Sequence, residues 1–247
     1  MNDKTRSGWL VPGAIVLVGF VIAISVYTIH HHVIVAQVGN PAAVRPVDPT
    51  TDHIIGNPAA PVVIIEYADI DSEYSKEFQP VMEQVMQTYG SGGDVAWVYR
   101  SFPLIGIDNN SEENAEASEC VSVQGGVQNA STAFFKFVDA LETAAPNQNE
   151  FDPKGYDAVV SQLGYSVTNF NTCLANHTYV KKVGADYENA LAVGADGSPY
   201  SVLLVKGQKP ATISGSLPYS TMKQIIDAQI AKVLGTNAST TNDSNGN

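Results

Sequence analysis

The chain of 247 residues has two cysteines, Cys120 and Cys173, and neither belongs to a C-x-x-C pair. A dithiol centre with an attacking and a resolving thiol in adjacent positions of one motif is therefore missing. Positive charge is scarce as well. Thirteen Lys and Arg stand against 25 Asp and Glu, a formal net charge of −12, so nucleic-acid binding has no electrostatic support. No G-x-S-x-G occurs, which removes the usual setting of a hydrolase serine. Histidine is limited to five residues, three of them consecutive at His30, His31 and His32. Neighbouring residues on a helix point in different directions, so these three read as a polar collar rather than a metal site. Neither a metal nor another cofactor is expected.

Apolar sequence is plentiful in one place. Trp9 to Ile29 carries no charged side chain and is long enough to cross a bilayer as a helix. Lys4 and Arg6 precede it, which predicts a single-pass topology with the N-terminus inside and the rest extracytoplasmic. A cleaved signal peptide ending near Ala36 is the rival, but the run exceeds a normal signal core, and an uncleaved anchor is favoured. Residues 37–52 carry Pro41, Pro46 and Pro49 without apolar periodicity and read as a semi-extended spacer holding the domain off the membrane. Residues 236–247 are Asn, Ser, Thr and Gly with almost nothing to bury, a composition that predicts disorder. The division expected is an anchor at 1–36, a Pro-rich linker at 37–52, a folded domain at 53–235 and a tail.

Within the domain, Pro61 to Tyr67 is a short β-branched run and reads as a buried strand. Phe78, Val81, Met82, Val85, Met86 and Tyr89 then recur at helical spacing, with Gly90 as a stop and Pro80 as an expected kink. Ser72 and Ser75 fall at the start of that helix. Asp71 and Ser72 are placed to cap its free N–H groups. A second strand is predicted over Val95–Phe102, followed by helices starting at Ser111, Ser131, Pro153, Ser166 and Tyr179. Strands at Tyr200–Lys206 and Ala211–Ser214 and an amphipathic helix from about Pro218 to Leu234 close the chain. The order β-α-β, helical block, β-β-α describes a mixed α/β sheet of about four strands.

Several segments, in order and spacing, resemble the DsbA-like thioredoxin-fold family from about Asp52 to Gly235. They are Gly56-Asn-Pro-Ala-Ala-Pro-Val62, Glu66-Tyr-Ala-Asp69, Tyr99-Arg-Ser-Phe-Pro-Leu104, Ala115-Glu-Ala-Ser-Glu-Cys120, Gly194-Ala-Asp-Gly-Ser-Pro199 and Gly215-Ser-Leu-Pro-Tyr219. The resemblance implies a thioredoxin fold with a helical subdomain inserted at about 104–195. It also implies a cis peptide between Ser198 and Pro199, facing the helix start and presenting backbone groups to a bound peptide. A trans proline in a plain turn is the alternative. Glu66 is similar to an acid that assists proton transfer at the family's sulfurs; the other reading is a strand-edge carboxylate in water.

The departure from the family is at Ser72-Glu73-Tyr74-Ser75, where it has C-x-x-C. Serine forms no disulfide at any pKa, so the family's catalytic pair is replaced and no catalytic residue is assigned. Cys120 and Cys173, on separate helices of the insert, are expected to form a structural bridge in an extracytoplasmic compartment, with two free thiols as the alternative. The leading functional expectation is a redox-inactive, membrane-tethered relative that binds extended peptide or unfolded clients at Ser198 and Pro199. A thiol-disulfide oxidoreductase acting through Cys120 and Cys173 and a structural subunit of an envelope complex are the alternatives.

Overall fold

The computed structural model describes residues 39–146 and 150–242, with side chains described through residue 235. The anchor expected over Trp9–Ile29 and the histidine collar lie outside the described residues. Among the described residues no helix is long and apolar enough to cross a membrane.

Five strands form one mixed sheet. They are β1 (His53–Gly56), β2 (Val62–Ala68), β3 (Val95–Ser101), β4 (Tyr200–Val205) and β5 (Ala211–Ser214), in the order β1-β3-β2-β4-β5. β2 and β3 run parallel, with Glu66 opposite Tyr99, and the other pairs are antiparallel. β2 lies in the centre and every residue in it is buried. Its continuous Val62-Val-Ile-Ile65 run suits a strand covered on both faces.

The helices are α1 (Glu73–Val85), α2 (Ser111–Ser122), α3 (Gly126–Ala144), α4 (Tyr156–Gln162), α5 (Val167–Ala175), α6 (Val180–Val193) and α7 (Tyr219–Asn242). On one face of the sheet Val62, Ile64, Trp97 and Tyr99 pack with Phe78 and Met82 of α1, Phe134 and Phe137 of α3, and Met222 and Ile226 of α7. On the other face Val63, Ile65, Tyr67 and Val98 pack with Ala190 and Val193 of α6. Helices α2 to α6 fall between β3 and β4, where the insert was expected. Cys120 of α2 and Cys173 of α5 are joined by a disulfide across it.

The fold departs from the sequence reading in four places. β1 adds a fifth strand, because Asp52-His-Ile-Ile-Gly56 pairs antiparallel with β3 instead of merely leading into the domain. α1, which holds Pro80 within it as expected, gives way after Val85 to a π-helical turn over Met86–Gly90. α7 runs on to Asn242, past the end expected near Leu234 and into the segment expected to be disordered, since each residue added to an existing helix forms a bond without a new nucleus. The fourth departure is the linker.

From Gly39 onward the linker is a strap bound to α6. The Asn40 N–H donates to Ala192 O, Asn189 Nδ2 donates to Ala43 O, and the Arg45 N–H donates to Asn189 Oδ1. A Cβ on Gly39 would lie 1.8 Å from Gly194 Cα, so the two backbones meet where no side chain fits. Arg100 of β3, fully buried, donates to Arg45 O and Pro46 O and forms two bonds of 2.9 Å with Asp52. A proline-rich composition gives no hint of docking, because the partners come from residues far along the chain.

Candidate functional site

The site lies where β2 hands over to α1. Ala68 ends the strand, Asp69 to Ser72 turn, and Glu73 opens the helix. Opposite this turn, the peptide between Ser198 and Pro199 is cis. The two segments are joined through hydroxyl groups. Asp69 N–H donates to Ser198 Oγ at 2.6 Å, Ser75 Oγ and Ser198 Oγ are 2.7 Å apart, and Ser72 Oγ donates to Ser198 O at 3.2 Å. All three serines are buried. Ser72, Ser75, Ser198 and Pro199 thus come together from positions far apart in the sequence.

Capping does not occur as the sequence suggested. Ser72 occupies the N-cap position but its side chain makes no capping bond; its hydroxyl goes to the Ser198 carbonyl. The Asp71 carboxylate is also taken elsewhere, by the Phe151 N–H at 2.9 Å and Asn114 Nδ2 at 2.7 Å. Asn114 Oδ1 in turn accepts from Tyr156 OH. Asp71 therefore ties the turn to the inserted helices. Ser111, expected as the cap of α2, is the first helical residue instead, and its hydroxyl donates to Asp108 O.

Asp69 carries the other tie. Its Oδ1 accepts from Asp71 N at 2.9 Å and its Oδ2 from Leu104 N at 2.6 Å, which holds the loop after β3 against the turn. Burial, with smaller contributions from Asp71 and Asp108, pushes its carboxyl up to about 7, while the two N–H donors oppose this. The sequence reading included Asp69 in a quoted segment but gave it no role. Its position one residue past the end of the central strand was the available signal.

Glu66 is buried in β2, and Trp97 Nε1 of β3 donates to its Oε2 at 2.7 Å. Burial pushes the carboxyl up to about 8, against the Trp97 bond. The alternative of a water-exposed strand edge is thereby excluded, because β2 is central. Glu142 of α3 is also raised well above its ordinary value, chiefly by burial. At neutral pH Glu66 holds a proton, in the strand that leads into the serine turn.

Among the described residues, neither histidine is paired with a serine of the turn. His53 Nε2 pairs with Glu119 and His177 Nδ1 with Glu116, so neither imidazole serves Ser72 or Ser75. Asp69 reaches Ser198 through its backbone N–H, not its carboxylate. A hydroxyl that donates to a carbonyl has no base to take its proton. Electron exchange at this turn requires sulfur, and the positions facing Pro199 hold oxygen.

Residues 48–228 match the family described as Thioredoxin, and the chain belongs to that family. Within it, the protein has the DsbA-like form with an inserted helical subdomain. The fold superposes on Wolbachia pipientis alpha-DsbA1 with a TM-score of 0.63 at 20% identity, covering 80% of this chain and 98% of that one. Pseudomonas aeruginosa DsbA2 superposes with a TM-score of 0.57 at 22% identity, covering 71% and 93%. Among curated proteins, a Na(+)/H(+) antiporter NhaA 3 of Salinispora tropica is 29% identical over 154 residues, 62% of this chain. The chain spans about a fifth of the length of that relative, 22%.

Proposed function

We propose that the protein is a membrane-anchored, extracytoplasmic member of its family that holds extended peptide or unfolded clients beside Pro199 without exchanging electrons with them. The observation that carries this reading is the hydroxyl set Ser72, Ser75 and Ser198, hydrogen-bonded across the turn where the family's sulfur chemistry would need two thiols. The Ser198 carbonyl accepts from Ser72, which uses one of its two lone pairs. The apolar run Trp9–Ile29 supports anchoring, and the antiporters among the relatives are in keeping with a membrane setting. Cys120 is fully buried, which supports a bracing role for its disulfide over a redox role.

The test uses the purified full chain. Mixed-disulfide trapping should capture nothing, whereas a fluorescent unfolded peptide should bind noncovalently and bind more weakly to Pro199→Ala. Absence of peptide binding by a folded sample would end this reading.

A further inference from the structure

The loop after β3 is pinned at both ends yet leaves Ile105 and Ile107 facing outward. The Asp69 carboxylate holds Leu104 N–H at one end. At the other, Glu150 accepts from the N–H groups of Asn109 and Asn110 at 3.0 and 3.1 Å. Between these ties, Gly106 takes φ 86°, a left-handed conformation that suits glycine. On either side of it, Ile105 is 57% and Ile107 73% exposed, and Tyr74, in the first turn of α1, is 59% exposed. A loop free to collapse would cover its isoleucines. This one is held with them in water, and exposed apolar groups on a preorganised loop beside a site mark a contact surface.

Carboxylates dominate the charge around this lip, although Lys76 is close enough to act on Asp108. Glu73 precedes Tyr74, Asp108 follows Ile107, and Glu112 and Glu113 open α2 three residues beyond Asn109. Asn109, Glu112 and Glu113 also line a cavity of about 740 Å³ that includes the apolar side chains of Leu174 and Val180. Such a lining suits a long cationic side chain, its methylene stem along Leu174 and Val180 and its head among carboxylates. Lys76, the cation of α1's first turns, donates its Nζ to Ala145 O.

We infer that this lip receives a basic, apolar segment of a partner polypeptide: an apolar side chain against Ile105 and Ile107, and a lysine or arginine directed to Glu112 and Glu113. The inference rests on the peptide-binding reading above and adds the class of peptide selected. Like charge repels acidic segments from the same surface, and the net charge of −12 extends that selection to long range.

The test titrates the full chain with three capped peptides of equal length, in which phenylalanine alternates with lysine, serine or glutamate, and reads fluorescence anisotropy. At low salt the lysine peptide should bind about tenfold or more tightly than the glutamate peptide, and high salt should narrow the gap. Ile105→Ser/Ile107→Ser should weaken all three peptides. Glu112→Gln/Glu113→Gln should weaken the lysine peptide alone. Equal affinity for lysine and glutamate peptides, or a lysine preference undiminished by Glu112→Gln/Glu113→Gln, overturns the inference while leaving peptide binding itself intact. Failure of every peptide to bind removes both readings together.

Discussion

Sulfur and oxygen occupy two different regions of this protein and do opposite things. In the inserted helices, Cys120 and Cys173 close a covalent loop between α2 and α5. At the turn facing the cis peptide, Ser72 and Ser75 are held to Ser198 by hydrogen bonds alone. The bridge joins a fully buried Cys120 to a half-buried Cys173, and the three serines of the turn are buried as well. On the function proposed above, bracing falls to the insert and binding to the turn.

The largest effect expected on either side of this contrast is on the bridge. Cys120→Ala/Cys173→Ala should lower stability by about 4 kcal/mol on the chain-entropy model, measured by denaturant unfolding, and reductant should reproduce the loss in the wild type. Little change in either case would remove the bracing role.

The next effect concerns the proton held beneath the turn. Glu66 in the folded state keeps its proton up to a pKa of about 8, against 4.5 for an ordinary glutamate, and Asp69 up to about 7, against 3.8. The folded state therefore binds these protons more tightly than the unfolded chain. Stability is fully present below about pH 4 and falls as pH rises through these folded pKa values. The domain should be more stable at pH 5 than at pH 8. Glu66→Gln should flatten that slope and gain a few kcal/mol at pH 8, at roughly 1.4 kcal/mol per pKa unit. A pH profile identical to the wild type would show that Glu66 is ionised inside the fold.

Smaller effects separate the serines. Ser198→Ala leaves Asp69 N–H and Ser75 Oγ without their shared partner and should cost about 2 kcal/mol. Ser72→Ala removes a single 3.2 Å bond to a carbonyl and should cost about 1 kcal/mol or less. If the two losses were reversed, the turn would depend on Ser72 as a helix cap after all.

The sequence disclosed the frame of the molecule better than its joints. Apolar spacing located β2, α1, β3 and the closing β-β-α unit, because each buries a periodic face. Ser166 caps α5 by accepting from Asn169 N–H, and Gly194 ends α6 with φ 101°, both local signals that depend on near neighbours in the chain. The hydrogen bonds of Asp71, Ser72 and Arg100 went unread because their partners lie at Phe151, Ser198 and Pro46, brought close only by the fold. Residue type predicted that Asp71 and Ser72 would seek N–H groups at the helix start. Tertiary contacts offered both of them other partners.

The most direct test of the account is insulin reduction by the purified full chain with dithiothreitol, beside Ser72→Cys/Ser75→Cys. The wild type should show no turnover above background, and the double substitution should acquire it, since sulfur would then stand at a helix start facing Pro199. Turnover by the wild type that disappears in Cys120→Ala would place electron exchange in the insert and contradict the division of roles argued above.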